Sequence, residues 1–303
     1  MSLKAYRTDL DLAKSRVNSI KSHILETPYG SIQYSSYGKG LPVLWVHGIV
    51  GGCDQGPFMS HTYIGQDYHT ISVSRFGYLS TPLPEDSSPT AQADQYSSLL
   101  ESLNILKIIV VGTSAGAPSS LQFCLRHPKR CAALVLLSMA IPPYSIPSLF
   151  IRSIMEGFYG SDYLFWLMIN NFPSVLMRIM GVPKNVRNRL NQEEKCWIRN
   201  LMHSLLPVSI RKKGILNDIW VPNTDLKNSY AFESLSTPTL IIHAVDDPIS
   251  PFDTARQFSK KIPNARFLAI EDGGHLLFGS QEVVRNEIAK FIKEKAGQIT
   301  PLN

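Results

Sequence analysis

The sequence contains no apolar run long enough to cross a membrane. Its longest, YLFWLMI at 163–169, stops at Asn170. Residues 1–20 carry charges throughout and lack the apolar segment and small-residue cleavage site of a secretory signal. These features predict no transmembrane segment and a cytoplasmic location.

Cysteine is scarce and forms no pattern. The four cysteines have neither CxxC nor Cys/His metal spacing and are too few for a disulfide framework, so reduced thiols are expected. The sequence also lacks an HExxH motif, a P-loop lysine and the aromatic–basic interleaving of proteins that bind single-stranded nucleic acid. We therefore expect no metal, no cofactor and no nucleic-acid partner.

The excess of positive charge is local. Segment 151–214 holds ten basic and four acidic residues, which accounts for the whole net charge of +6. This indicates a solvated basic face, with contact to an anionic membrane or an acidic substrate as the alternative interpretation.

Short apolar runs recur along the chain and alternate with helical stretches, which predicts an α/β fold with a doubly wound, mostly parallel sheet. The predicted buried strands are 41–48, 69–75, 107–114, 132–140, 238–247 and 265–275, and the predicted helices between or after them are 90–105, 115–128, 251–261 and 280–297.

Three regions depart from this alternation. Residues 7–22 have the apolar spacing of a short amphipathic helix, and residues 22–38 read as a hairpin that turns at Pro28–Gly30. The long apolar stretch between the fourth and fifth runs is helical in pattern and too long for a loop. The predicted organisation is an N-terminal helix at 1–22, a core at 23–140 and 236–303, and an inserted helical cap at 141–235.

The segment VGTSAGAPSS at 111–120 places Ser114 between two glycines, after an apolar strand and before a helix. A side chain at so sharp a turn stands clear of the sheet only if its neighbours are small. The turn also sets Ser114 at a helix N-terminus, where free N–H groups favour developing negative charge. Ser114 is therefore a candidate nucleophile.

A serine nucleophile needs a base, and the base needs a carboxylate to orient it. Asp247 follows the strand at 238–245, and His275 follows the last strand on a loop with Gly273 and Gly274. All three side chains fall at carboxyl ends of predicted parallel strands, where open α/β sheets gather their sites. The sequence thus predicts a Ser114–His275–Asp247 triad.

At these positions the chain resembles the α/β-hydrolase fold superfamily, over residues 23–140 and 236–295. The motifs that carry the resemblance are HG at 47–48, SRFGYLSTP at 74–82, GTSAG at 112–116, DDPISP at 246–251 and GGH at 273–275. The resemblance implies that Ser114 is the nucleophile, His275 the general base and then acid, and Asp247 the orienting carboxylate, with Asp246 as the alternative acid.

The resemblance also implies an oxyanion hole formed by the backbone N–H groups of Ile49 and Ala115. Because the loop at 47–56 departs from the common family patterns, Val50 is an alternative second donor. Among the neighbouring side chains, His47 is expected to order this loop and Asp54 to cap the next helix. Arg75 is expected to pair structurally with the region of the Ser114 turn, with a substrate contact as the alternative. Cys53 and His243 are expected to be structural residues of the core, with a second nucleophile as the alternative interpretation of Cys53.

The expected function is that of a capped serine hydrolase that cleaves a carboxylic ester or related acyl bond through an acyl-enzyme. The apolar and aromatic composition of 141–235 predicts a small, hydrophobic substrate, with packing of the cap on the core as the alternative interpretation. The same triad also serves C–C bond hydrolases, cofactor-free haloperoxidases, peptidases and acyltransferases, and a non-catalytic ligand-binding relative is the alternative of another class. A homodimer is compatible with the sequence, which sets no oligomeric state.

Overall fold

The computed structural model describes residues 2–141, 148–220 and 230–295. Eight strands form one sheet in the order β1-β2-β4-β3-β5-β6-β7-β8. The strands are β1 Ser22–Leu25, β2 Ile32–Tyr37, β3 Leu41–Val46, β4 Tyr68–Val73, β5 Ile108–Thr113, β6 Cys131–Leu137, β7 Thr239–Ala244 and β8 Arg266–Ile270. The hairpin β1–β2 is antiparallel and also pairs antiparallel with β4, whereas β4, β3, β5, β6, β7 and β8 run parallel. This confirms the predicted mostly parallel sheet.

Twelve α-helices accompany the sheet within the described ranges. They are α1 Leu3–Ser19, α2 Gly56–Ile64, α3 Pro89–Ser102, α4 Ala117–Arg126, α5 Leu149–Gly160, α6 Asp162–Asn171, α7 Pro173–Ile179, α8 Lys184–Arg189, α9 Gln192–Ser204, α10 Lys212–Trp220, α11 Phe252–Lys261 and α12 Gln281–Lys295. Over the same ranges, no helix is both long and apolar enough to cross a bilayer.

The central strands are apolar along their whole length because helices cover both faces of the sheet. On β3, Leu44 and Val46 point into a core shared with α3, α4 and α11, while Val43 and Trp45 point into the core shared with α2 and α12. Alternate side chains of one strand therefore serve two cores, which explains why the strand lacks an apolar–polar alternation.

Helices α5 to α10 lie between β6 and β7, where the sequence predicted helical material. They share a third apolar cluster, which includes Phe165, Trp166 and Ile198, with Tyr78 and Phe278 from the loops of the sheet. The segment thus has a core of its own that contacts the end of the sheet. Residues 142–147 and 221–229 of this stretch lie outside the described residues.

The N-terminal helix α1 begins at Leu3, earlier than the sequence pattern indicated, and packs on the inserted helices. The ring of Tyr6 contacts those of Tyr163 and Trp166, and the indole N–H of Trp166 donates to Asp9 at 2.7 Å. Arg16 at the other end of α1 donates to the carbonyl oxygens of Ser204 and Leu206 at 2.8 and 2.6 Å. Helix α1 therefore packs on the outside of the insertion and contacts it near both of its own ends.

Asp54 joins α1, the core and the insertion, and the expectation that it caps a helix is wrong. Its carboxylate accepts two hydrogen bonds from the fully buried Arg211, at 2.9 and 2.6 Å, and one from Arg16 at 2.7 Å. Burial alone raises the pKa of Asp54, but the two guanidinium groups outweigh it and lower that pKa. Charge-assisted hydrogen bonds from two guanidinium groups hold this carboxylate more strongly than the N–H groups of a helix N-terminus would.

We expect Asp54→Ala to lower the free energy of unfolding by about 3–5 kcal/mol, because the Arg211 charge would stay buried without its carboxylate. Urea denaturation measures this loss. Glu294→Ala, which breaks the exposed pair with Arg266 and leaves the arginine in place, is the control and should leave the unfolding midpoint almost unchanged. Equal midpoints for the two variants would contradict the assignment.

Candidate active site

Ser114 lies in a tight turn between β5 and α4. Its φ of +47° is in the left-handed region that L-residues rarely adopt. A Cβ on Gly112 would lie 2.4 Å from Ser120 Oγ, and one on Gly116 would lie 2.7 Å from the carbonyl oxygens of Val46 and His47. The small neighbours expected from the sequence are thus required by close approach of helix, strand and turn.

The structure brings the three predicted side chains into one hydrogen-bonded chain. Ser114 Oγ lies 2.7 Å from His275 Nε2, and His275 Nδ1 lies 2.8 Å from Asp247 Oδ2. Because a carboxylate only accepts, Nδ1 carries the proton and Nε2 is free to accept from the serine hydroxyl. Serine, imidazole and carboxylate are therefore aligned for transfer of the serine proton.

Asp247 is held by its own loop as well as by His275. Its Oδ1 accepts from the backbone N–H groups of Ile249 and Ser250 at 2.8 and 3.1 Å. Burial alone raises the pKa of Asp247, but hydrogen bonds from His243 and His275 reverse this and hold the pKa well below its usual range. The carboxyl is therefore ionised at neutral pH, as an orienting acid must be.

Asp246, the alternative acid, has a different partner. Its Oδ1 accepts from the backbone N–H of Gly274 at 2.8 Å, in the loop that carries His275. Of the two neighbouring aspartates, Asp247 contacts the imidazole and Asp246 contacts the loop.

His243 is buried, as expected for a core histidine, but it also reaches the acid. Its Nε2 lies 2.8 Å from the carbonyl oxygen of Ser250 and 3.3 Å from Asp247 Oδ2. Sequence reasoning missed this contact. The available signal was that His243 precedes Asp247 by only four residues, at the end of the same strand.

The loop after β3 borders Ser114 and is ordered by His47. The backbone N–H of Arg75 donates to His47 Nε2 at 3.0 Å, so Nδ1 carries the proton and donates to the carbonyl oxygen of Gly48 at 2.6 Å. Burial, reinforced by the charge of Arg75, lowers the pKa of His47 well below its ordinary value. A neutral His47 thus holds the loop that leads into Ile49.

The two predicted oxyanion donors belong to the turn at Ser114 and to the loop after β3. Ala115 is the next residue of the turn, and Ile49 lines the same cavity as Ser114. Val50, the alternative donor, has a φ of +60° and lines the same cavity. Ile49 and Val50 therefore both border the cavity beside Ser114.

Arg75 connects this loop to the insertion. Its Nε donates to the carbonyl oxygen of His47 at 2.8 Å, and its guanidinium forms two further hydrogen bonds with Asp218 on α10. The Tyr78 hydroxyl donates to the same carboxylate at 2.5 Å. Sequence reasoning expected a structural pairing of Arg75 but did not identify Asp218, which is distant in the chain.

A cavity of about 530 Å³ opens onto Ser114 and His275. The insertion supplies much of its wall, through Ile154, Met155, Phe158, Tyr159, Phe165, Leu176, Ile179, Met180, Leu201 and Leu205. The lining described by the structure includes no Lys, Arg, Asp or Glu. The cavity therefore suits an uncharged, largely apolar molecule.

The remaining nucleophile and ligand candidates do not form a second centre in the described residues. Cys53 is buried, and burial raises the pKa of its thiol to about 12, so the reactive thiolate is suppressed at neutral pH. Nor do three His, Cys, Asp or Glu side chains cluster as metal ligands anywhere in those ranges.

Comparison with known proteins places the chain in a family. The model of the family described as "Alpha/beta hydrolase family" matches residues 43–287. The chain belongs to the alpha/beta hydrolase family. The matched range of this alpha/beta hydrolase holds Ser114, Asp247 and His275, whereas α1 and the hairpin β1–β2 precede it.

Individual relatives agree with this placement. The chain is 25% identical over 268 residues to the uncharacterized hydrolase YcgS of Bacillus subtilis, covering 84% of this chain and 91% of that one. It superposes with a TM-score of 0.76 on an alpha/beta hydrolase fold protein from Nakamurella multipartita, at 25% identity over 91% of this chain and all of that one. An esterase from Exiguobacterium antarcticum shares the fold, with a TM-score of 0.67, 18% identity and coverage of 89% and 98%.

We expect Gly116→Ala to lower the free energy of unfolding by about 1–3 kcal/mol, because its methyl group would press on the backbone carbonyl oxygens of Val46 and His47, which cannot easily move. Urea denaturation measures this loss. Gly157→Ala on α5 is the matched control, since a Cβ there meets nothing within 4 Å. It should stabilise the protein by about 0.5–1 kcal/mol, and a Gly116→Ala protein as stable as this control would refute the close approach.

Proposed function

We propose that the protein is a serine hydrolase that cleaves a carboxylic ester or related acyl bond of a largely apolar substrate. One observation carries the proposal: the unbroken chain from Ser114 Oγ through His275 to Asp247, with links of 2.7 and 2.8 Å, at the wall of an apolar cavity. This chain supplies the base that takes the serine proton and the carboxylate that orients the base.

In the proposed acylation, Ser114 Oγ attacks the substrate carbonyl carbon while His275 Nε2 takes the serine proton. Asp247 stabilises the imidazolium that forms. Collapse of the tetrahedral intermediate breaks the bond to the leaving group, and His275 returns the proton to the departing alkoxide. The products of this half-reaction are an alcohol and an acyl ester on Ser114.

Developing negative charge on the carbonyl oxygen is assigned to the N–H groups of Ile49 and Ala115, with the N-terminus of α4 adding a favourable dipole. Each such donor is expected to contribute about 3 kcal/mol of transition-state stabilisation. Hydrolysis of the acyl-enzyme then repeats the sequence with water, which His275 deprotonates, as the nucleophile.

The nature of the substrate follows from the wall of the cavity. Because the described lining carries no Lys or Arg side chain, a substrate carboxylate would lose its hydration without gaining a permanent counter-charge. This favours a neutral ester over a charged acid. We assign residues 141–235 as the cap that shapes this pocket, 23–140 and 236–303 as the core, and 1–22 as an N-terminal helix that holds the cap.

Replacement of the proposed nucleophile tests the assignment directly. Ser114→Ala should abolish covalent labelling by a fluorophosphonate and lower kcat on a p-nitrophenyl ester by at least about a thousandfold, since the residual rate depends only on substrate binding and the oxyanion donors. Ser102→Ala, at an exposed serine that ends α3, is the control and should label normally. Labelling that persists in Ser114→Ala would overturn the proposal, and tight ligand binding without turnover in the wild type would indicate a binding protein.

The two neighbouring aspartates are expected to differ sharply. Asp247→Asn should lower kcat by about 10⁴-fold, because an amide in contact with Nδ1 favours the wrong tautomer of His275. Asp246→Asn should lower it by no more than about tenfold, the equivalent of one weakened hydrogen bond to Gly274. Steady-state kinetics on the same ester decide between them, and a larger loss in Asp246→Asn would reassign the acid.

A further inference from the structure

The inserted helices expose an unusual share of the apolar surface. Of the nineteen large hydrophobic side chains exposed among the described residues, eight lie between 149 and 179. Soluble proteins rarely leave apolar side chains clustered in this way unless the surface meets a partner.

Helix α5 shows the feature most clearly. Phe150, Ile154 and Phe158 follow one another at intervals of four residues and so share one side of the helix. A surface helix normally buries such a stripe against its own protein. No residue of α5 is fully buried, and Phe150 is 75% exposed.

A second stripe runs along α7 and the turn before it. Phe172, Val175 and Ile179 are spaced by three and four residues and are all exposed. Ile154 on the first stripe and Ile179 on the second also line the cavity above Ser114. Both stripes therefore lead from the outer surface to the mouth of the cavity.

We propose that these five side chains, Phe150, Ile154, Phe172, Val175 and Ile179, form a docking face for an anionic lipid bilayer surface. Apolar side chains on one side of a helix enter the boundary between lipid headgroups and acyl chains, and basic residues nearby bind anionic headgroups. Binding at this face sets the mouth of the cavity against the lipid.

Exposed positive charge near the second stripe favours an anionic occupant. Segment 151–214 holds ten basic and four acidic residues, an excess that persists after the ion-paired Arg189 and Arg211 are left out. Arg178 and Lys184, which flank the second stripe in sequence, are exposed. A second copy of the chain at the same face would bring two surfaces of equal sign together and would close the mouth of the cavity. An anionic bilayer complements the charge and leaves the cavity open towards the lipid.

The docking face adds a source of substrate to the proposed ester hydrolysis. A protein bound to the bilayer can take a lipophilic substrate from the membrane into its cavity. Docking itself requires no turnover, so it is tested in the Ser114→Ala background. A failure of the hydrolase assignment and a failure of docking then give separate results.

Vesicle co-sedimentation provides the test, with vesicles of phosphatidylcholine alone and of phosphatidylcholine mixed with phosphatidylglycerol. We expect binding to the mixed vesicles that weakens at high salt. The double substitution Phe150→Ser and Phe172→Ser should lower the partition coefficient at least about tenfold, because two large apolar side chains no longer enter the bilayer.

Two further variants control the experiment. Leu106→Ser removes a side chain that is 84% exposed just before β5, at the opposite end of the sheet from Ser114, and should not change binding. Arg178→Glu with Lys184→Glu should reduce the preference for phosphatidylglycerol. Phe150 and Phe172 lie outside the cavity lining, so their double variant in the wild-type background should hydrolyse a short, water-soluble ester at the normal rate.

Two results would overturn the docking face. One is vesicle binding that is equally strong with the double substitution and with Leu106→Ser. The other is gel filtration in which the double substitution converts a dimer into a monomer while vesicle binding is absent, which would assign the face to a second copy.

Discussion

The close approach of the turn after β5 to the end of β3 is the constraint on which the site depends. At Gly116 the backbone passes so near the carbonyl oxygens of Val46 and His47 that no side chain fits between them. This contact sets Ser114 beside the loop that carries Ile49, and the two strands that meet there are adjacent in the sheet. The proposed nucleophile and the proposed oxyanion donors thus share one rigid junction rather than two independent loops.

Buried arginines extend this junction into the inserted helices. Arg75 links the carbonyl oxygen of His47 to Asp218 on α10, and Arg211 links the carbonyl oxygen of Gly51 to Asp54. Planar guanidinium groups suit such positions because they donate in several directions at fixed angles. The inserted helices therefore both hold the loop between β3 and α2 and form part of the cavity wall. The shape of the pocket and the position of the proposed oxyanion donors are consequently coupled.

The polar chain and the apolar cavity have complementary roles. Asp247 and His275 satisfy each other and their loops through hydrogen bonds, so little of their polarity faces the cavity beyond the one bond to Ser114. Low polarity around that bond strengthens the electrostatic interactions on which the proposed chemistry relies. The exposed stripes on α5 and α7 continue the same apolar character outward, which joins the proposed reaction to the proposed lipid surface.

The sequence alone determined the strand–helix alternation, the turn around Ser114 and the order of the three polar residues at strand ends. These features are local, because they depend on apolar spacing and on the steric demands of neighbouring glycines. It left Asp247 and Asp246 as alternatives and assigned Asp54 to a helix cap, because neighbours in sequence do not reveal which way a carboxylate points. Only the tertiary structure decided that Asp247 meets His275, that Asp54 pairs with Arg211 and Arg16, and that α1 holds the insertion. Each of those contacts joins residues far apart in the chain, and their geometry exists only once the sheet and the inserted helices have packed together.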